Sequence, residues 1–223
     1  MLQKLQDFIP FSVEKANLKN IIFDLGGVIV DIAPPRSLSA FSMLSGFTEE
    51  ELGNSVSSAV MKHFEKGWLQ VDAFRNALRQ ICQQPISSKK LDAAWNQMIG
   101  DIPPARLTLL HNLGKRYKLF LLSNTNPIHL KKIQEVLYAT SGIKTLQHFF
   151  TKTYYSFQTG YVKPEIDAFK SILQENHLLP EETLLVDDTI ENIEVASSLK
   201  MNVLHVHTDT TLFEYFTGLL HCT

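Results

Sequence analysis

Hydrophobic residues along the chain follow two alternating rhythms. Short, nearly continuous apolar runs occur at 20–25 (NIIFDL), 118–123 (KLFLLS), 183–187 (TLLVD) and 202–206 (NVLHV), with a weaker one within 148–155. Runs rich in Ile, Val, Leu and Phe and bounded by polar residues predict strands covered on both faces, as in a parallel sheet. Between them, apolar residues recur every three or four positions. Leu130, Ile133 and Leu137 make one such stripe. Ile166, Phe169, Ile172 and Leu173 make another, behind Pro164, a residue suited to opening a helix. Strands alternating with helices predict an α/β fold: a Rossmann-like parallel sheet with helices on both faces.

The rhythm breaks between about 36 and 100. Three helical stripes follow one another there: Leu52, Val56 and Val60; Phe74, Leu78 and Ile81; Leu91, Trp95 and Met98. Thr48 with Glu51 three residues later reads as a capping box that opens the first. Pro34-Pro35 and Pro103-Pro104 bracket the stretch, and proline pairs stiffen crossings between units. The expectation is a small α-helical cap domain at 34–100, inserted into a core made of 1–33 plus 101–223. Both connections are expected to return to one edge of that core. The apolar segment LFEYFTGLLHC near the end predicts a helix docked on it.

Composition removes several classes. The 223 residues are 44% hydrophobic and 20% charged, which is ordinary globular usage. Lys and Arg number 21 against 23 Asp and Glu, a net charge of −2, so no global positive field exists to hold nucleic acid or anionic lipid. Two cysteines, Cys82 and Cys222, stand far apart, which excludes a disulfide scaffold and suits a reducing compartment. No apolar run approaches a membrane span, and the first fifteen residues, broken by charge and Pro10, do not read as a signal peptide. A cytoplasmic protein is expected.

Candidate chemistry follows from where the strands end, because an open parallel sheet binds ligands beyond the carboxyl ends of its strands. The first run ends at Asp24, the second at Ser123 and the fourth at Asp187 and Asp188; Lys163-Pro164 stands at the mouth of a helix. Together these describe phosphoryl transfer. A carboxylate such as Asp24 can attack phosphorus as a covalent nucleophile. Attack by an anion on an anion needs screening, for which Asp188 can help to hold a hard divalent cation. Lys163 and Ser123 can stabilise the transferring oxygens.

These residues resemble a family. IIFDLGGVIVD, LLSNT, GYVKPE and LLVDDTIENIEVA are similar, in order and spacing, to the four motifs of the haloacid dehalogenase superfamily. FEKGWLQVDAF resembles the cap segment of its first subfamily. The resemblance implies that Asp24 is the phosphorylated nucleophile and, with Asp188 and the Gly26 carbonyl, a Mg2+ ligand. It implies phosphate binding by Ser123 and Asn124, neutralisation by Lys163, orientation of Lys163 by Asp187, and loop support by Asn192. The implied activity is a magnesium-dependent phosphatase acting on a small phosphorylated metabolite such as a sugar phosphate, as a monomer or homodimer.

One departure matters. The family's phosphatases usually carry a second aspartate two residues after the nucleophile as general acid and base, and this chain has Gly26. That help is typically worth about 10²–10⁴-fold. A branch similar to the sugar-1-phosphate phosphatases also has Asp-Leu-Gly here. Two alternatives follow: a catalytically weak or inactive phosphate-binding member, and a 2-haloacid dehalogenase, whose fourth motif resembles Ser-Ser-Asn where this chain has Asp187-Asp188. Asp31 is expected to be structural. His63, Glu65 and Lys66 could face the cleft and supply a proton, with a solvated cap face the expectation; Trp68 and Trp95 are expected in the cap core, and His205 and His207 in packing or on the surface.

Overall fold

A computed structural model describes residues 17–55 and 58–221 of the chain. Expectations placed on the first fifteen residues, on Val56 and on Cys222 lie outside them. The core begins with β1 (Asn20–Phe23), leaves for a helical insertion, and returns through α6 (Pro104–Leu113), β2 (Lys118–Ser123), α7 (Pro127–Ser141), β3 (Lys152–Tyr155) and the single turn α8 (Ser156–Thr159). It ends with α9 (Ile166–Glu175), β4 (Thr183–Asp187), α10 (Ile190–Ser198), β5 (Asn202–His205) and α11 (Asp209–His221). The insertion comprises α1 (Pro34–Ser45), α2 (Glu49–Ser55), α3 (Ser58–Glu65), α4 (Val71–Cys82) and α5 (Ser88–Trp95).

The strands form one parallel sheet in the order β3-β2-β1-β4-β5. Their continuous apolar runs are explained by the period of two along each strand, which feeds two cores. Ile21, Phe23, Leu119, Leu121, Leu184 and Val186 pack on one face with Leu110, Ile133 and Phe216 from α6, α7 and α11. Ile22, Phe120, Leu122 and Leu185 pack on the other with Phe169 and Ile172 of α9 and Ile193 of α10. The last helix is docked, as its pattern predicts: Leu212, Phe216 and Leu219 are buried, and the Phe216 ring lies 5.8 Å from that of Phe23.

The insertion has a hydrophobic cluster of its own, centred on Phe64 stacked against Phe74 at 3.9 Å, with Leu78 and Leu91. The capping box is present: the Thr48 N–H donates to Glu51 Oε2 at 2.8 Å and the Glu51 N–H donates to Thr48 Oγ1 at 3.2 Å. A ladder of main-chain bonds joins insertion to core. The Asp31 N–H donates to the Asp101 carbonyl (2.9 Å), the Gly100 N–H to the Asp31 carbonyl (2.8 Å), and the Ala33 N–H to the Met98 carbonyl (2.8 Å).

Three expectations need correction. The insertion does not leave from an edge, because β1 is the middle strand; its two connections rise from the centre of the rim. The helix behind Pro164 starts only at Ile166, and Ile166 is exposed rather than part of the buried stripe. Trp68 lies in the turn between α3 and α4 and is 64% exposed, whereas Trp95 packs among Phe41, Phe74 and His129.

Candidate active site

Sheet register brings the candidate residues to one rim. Phe23 pairs with Val186 of β4 and with Leu121 of β2. Asp24 therefore follows β1 level with Asp187, its N–H still donating to the Val186 carbonyl at 2.9 Å. Ser123 ends β2, buried at the same rim. Asp188 follows β4.

Lys163 is the centre of the charge arrangement. Its Nζ lies 2.9 Å from Asp24 Oδ1 and 2.6 Å from Asp187 Oδ2, and it is 5% exposed. Burial alone pulls an ammonium pKa down; the two carboxylates outweigh it, so Lys163 sits above its ordinary value and stays charged. Asp187 is fully buried and three of its roughly four lone-pair sites are taken. Its Oδ2 takes Lys163, while its Oδ1 accepts from the Thr189 N–H at 3.0 Å and from Asn192 Nδ2 at 2.9 Å.

Asn124 is spent in an unexpected way. Its carboxamide grips the main chain of Lys163, with Nδ2 donating to the lysine carbonyl and Oδ1 accepting the lysine N–H. Its side chain thus places the lysine, using one of its two N–H donors.

Burial pushes the Asp24 carboxyl up to about 7, against the pull of Lys163 and with a further push from Asp187. Asp188 is raised as well, first by burial and then by Asp187. Positive charge is also short: Asp24, Asp187 and Asp188 place carboxylate oxygens within 4.8 Å of one another, and one lysine serves them. A hard divalent cation with oxygen ligands matches that deficit. Asp24 and Asp188 are the carboxylates with most capacity left, and among the described residues no main-chain hydrogen bond ends on the Gly26 carbonyl.

Gly27 makes room for this set. At φ +71°, a Cβ there would fall 2.1 Å from Asp188 Oδ2, so only glycine lets the turn pass beneath the Asp188 carboxylate.

Two residues take roles other than the ones expected of them. His205 Nε2 donates to the Asp188 carbonyl at 2.9 Å, a contact that follows from the Asp187↔His205 register of β4 and β5. Lys66, expected in solvent, is folded down from the insertion: its Nζ is 2.8 Å from Glu165 Oε2, two residues after Lys163, and 4.8 Å from the Trp68 ring. His63 faces Trp68 as well. Asp31 pairs with Arg106, which also holds Asp209. His207 lies against the His205 ring.

The sequence pattern of the haloacid dehalogenase-like hydrolases matches residues 18–199. A D-ribitol-5-phosphate phosphatase of Bacteroides thetaiotaomicron is 32% identical over 183 residues, 82% of this chain and 88% of that protein. A crystal structure of a haloacid dehalogenase family enzyme from Bacteroides thetaiotaomicron, in complex with magnesium and inorganic phosphate, is similar with a TM-score of 0.80 at 32% identity, covering 88% of this chain and 99% of the other. A haloacid dehalogenase-like hydrolase from Porphyromonas gingivalis is similar with a TM-score of 0.82 at 27% identity, covering 92% and 99%. Sequence, fold and rim together place the chain in one family: it belongs to the haloacid dehalogenase-like hydrolases.

Proposed function

We propose that the protein is a magnesium-dependent phosphatase that hydrolyses small phosphorylated metabolites through a phosphorylated Asp24. The observation that carries this reading is the buried Lys163 ammonium, shared at hydrogen-bond distance between Asp24 and Asp187, with Asp188 beside them. A similar solved structure that contains magnesium and inorganic phosphate supports it, as does a relative named for a sugar-alcohol phosphate. A sugar phosphate is the substrate class we favour.

Asp24, Asp188 and the Gly26 carbonyl are the groups fit to hold the ion. When bound, magnesium supplies the positive charge that lets an anionic carboxylate approach an anionic phosphoryl group. The other work falls to the chain. An Asp24 oxygen attacks phosphorus, the ester P–O bond breaks, and its electron pair leaves with the substrate oxygen. Lys163 holds a fixed charge beside Asp24, and the Ser123 hydroxyl, at the same rim, can donate to a phosphoryl oxygen. Water then attacks the phosphorus of the aspartyl phosphate and frees Asp24. Asp187, Asn192 and Asn124 position Lys163 and the loop after β4.

Incubation with a panel of sugar, polyol and acyl phosphates is expected to release inorganic phosphate in magnesium, none in EDTA, and none from Asp24→Asn. Gly26 favours a second reading, a member that binds phosphate with little turnover. Phosphate binding without release from any panel compound would select it. Halide release from chloropropionate would instead select dehalogenation, against which the second carboxylate, Asp188, argues.

A further inference from the structure

Gly26 lacks the side chain with which the family's phosphatases usually deliver a proton, yet its place is not vacant. A Cβ built on Gly26 would lie 3.2 Å from Ile32 Cδ1, 3.4 Å from Cγ2 and 3.8 Å from Cγ1. Three atoms of one isoleucine cover the direction in which a side chain would leave. Gly26 is not among the residues with positive φ, so its backbone would accept any L-residue. The obstacle is Ile32.

Ile32 is itself held in place. It forms an antiparallel bridge with Ile99, and its neighbours Asp31 and Ala33 make the bonds to Asp101, Gly100 and Met98 that join insertion to core. Arg106, itself buried, pairs with the Asp31 carboxylate at 2.9 Å. The residue is 38% exposed, close to the turn that carries the nucleophile.

We propose that Gly26 and Ile32 together determine which leaving groups the enzyme accepts: Gly26 offers no acid, and Ile32 fills the slot through which an acid at position 26 would reach the departing oxygen. The proposal rests on the phosphatase reading and narrows it. As the Asp24 oxygen–phosphorus bond forms and the P–O bond to substrate breaks, the electron pair leaves on an oxygen that receives no proton from this slot and takes one from water. Substrates whose departing oxygen is a weak base, namely anomeric, acyl and aryl phosphates, are therefore favoured over primary alkyl phosphates. Restoring the acid requires two changes, at 26 and at 32.

The test compares 4-nitrophenyl phosphate with phenyl phosphate, whose departing oxygen is the stronger base, as a ratio of kcat/KM in magnesium. Wild type is expected to prefer the nitrophenyl ester by at least about tenfold, Gly26→Asp to keep that ratio within about threefold, and Gly26→Asp with Ile32→Ala to lower it by about tenfold or more, since a general acid helps most where the leaving group is basic. The double variant should also gain an alkaline limb in its pH profile, which a merely structural effect would not produce. Should the double variant fail to fold, Gly26→Asp with Ile32→Val is the substitute. A ratio near one in wild type, a full loss of the ratio in Gly26→Asp alone, or no loss in either double variant overturns the proposal. Absence of phosphate release from both esters by wild type is a different failure: it removes the phosphatase reading and this inference with it.

Discussion

Asn124 holds Lys163 by its main chain, its carboxamide donating to the lysine carbonyl and accepting the lysine N–H, each at 2.8 Å. A primary amide matches a peptide group in this two-point way, and no smaller side chain can. The pair spans 39 positions of sequence and ties the end of β2 to the loop before α9. Asn124→Ala is expected to let Lys163 shift on its backbone. Misplacement of a catalytic group by about 1 Å costs on the order of 10²-fold, so kcat/KM should fall by about 10–100-fold while magnesium affinity, read by calorimetry, is kept. An equal loss in magnesium affinity would mean that the amide supports the whole rim instead.

Removal of the lysine charge has a different signature. Lys163→Met leaves Asp24 and Asp187 facing each other without a counter-charge in a nearly dry site. Breaking a buried pair in this way costs about 3–5 kcal/mol, to be read by urea unfolding in EDTA at neutral pH. The pH dependence has a definite sign. Asp24 is already raised from 3.8 to about 7 with the lysine present, and its loss raises it further. A group whose folded pKa is raised stabilises the fold in its protonated form, so the penalty should shrink as pH is lowered from about 8 to 5. A penalty that grows on acidification would contradict this arrangement.

Gly27 and Asp188 are bound by space rather than by a bond. Gly27→Ala puts a Cβ into the Asp188 carboxylate at a left-handed backbone position, which also costs about 1–2 kcal/mol of backbone strain. The carboxylate must turn away. Magnesium affinity is expected to fall by at least about tenfold, the equivalent of about 1.4 kcal/mol, with stability in EDTA reduced by no more than about 3 kcal/mol. Unchanged magnesium affinity in a folded Gly27→Ala protein would remove Asp188 from the ligand set.

The legible parts of the molecule are those that a one-dimensional period records. β2 and β4 match their apolar runs residue for residue, because each continuous apolar interior is flanked by a polar residue at either end. The stripes of α4 and α7 likewise mark Phe74, Leu78, Ile133 and Leu137 as buried. Trp68 was illegible because it sits in a turn, where no period says which way a side chain faces. The roles of Asn124 and His205 were illegible for another reason: each depends on a long-range pairing, β2 with the loop before α9 and β4 with β5. Ile32 belongs to the same class, since an apolar residue after a strand reads as core until its contact with Gly26 is seen.

His129 links α7 to the insertion and sets an acid limit on the fold. Its Nε2 donates to the Trp95 carbonyl and its Nδ1 accepts from Asn126 Nδ2, both at 3.1 Å, with the imidazole stacked on the Trp95 indole. Asn126 cannot turn its amide to help a second proton, because its Oδ1 already accepts the Ile128 and His129 N–H groups that cap α7. Burial therefore depresses His129 from 6.5 to about 4, the Trp95 carbonyl opposing only in part. The unfolded chain takes up the proton first as pH falls, so the stabilisation is complete above about 6.5 and is lost progressively toward pH 4. A shift of this size is worth about 3 kcal/mol at most. Urea unfolding from pH 7 to 4.5 should show His129→Gln less stable at pH 7 but with a flatter decline, the two curves converging in acid. Parallel curves would assign the acid sensitivity to other groups.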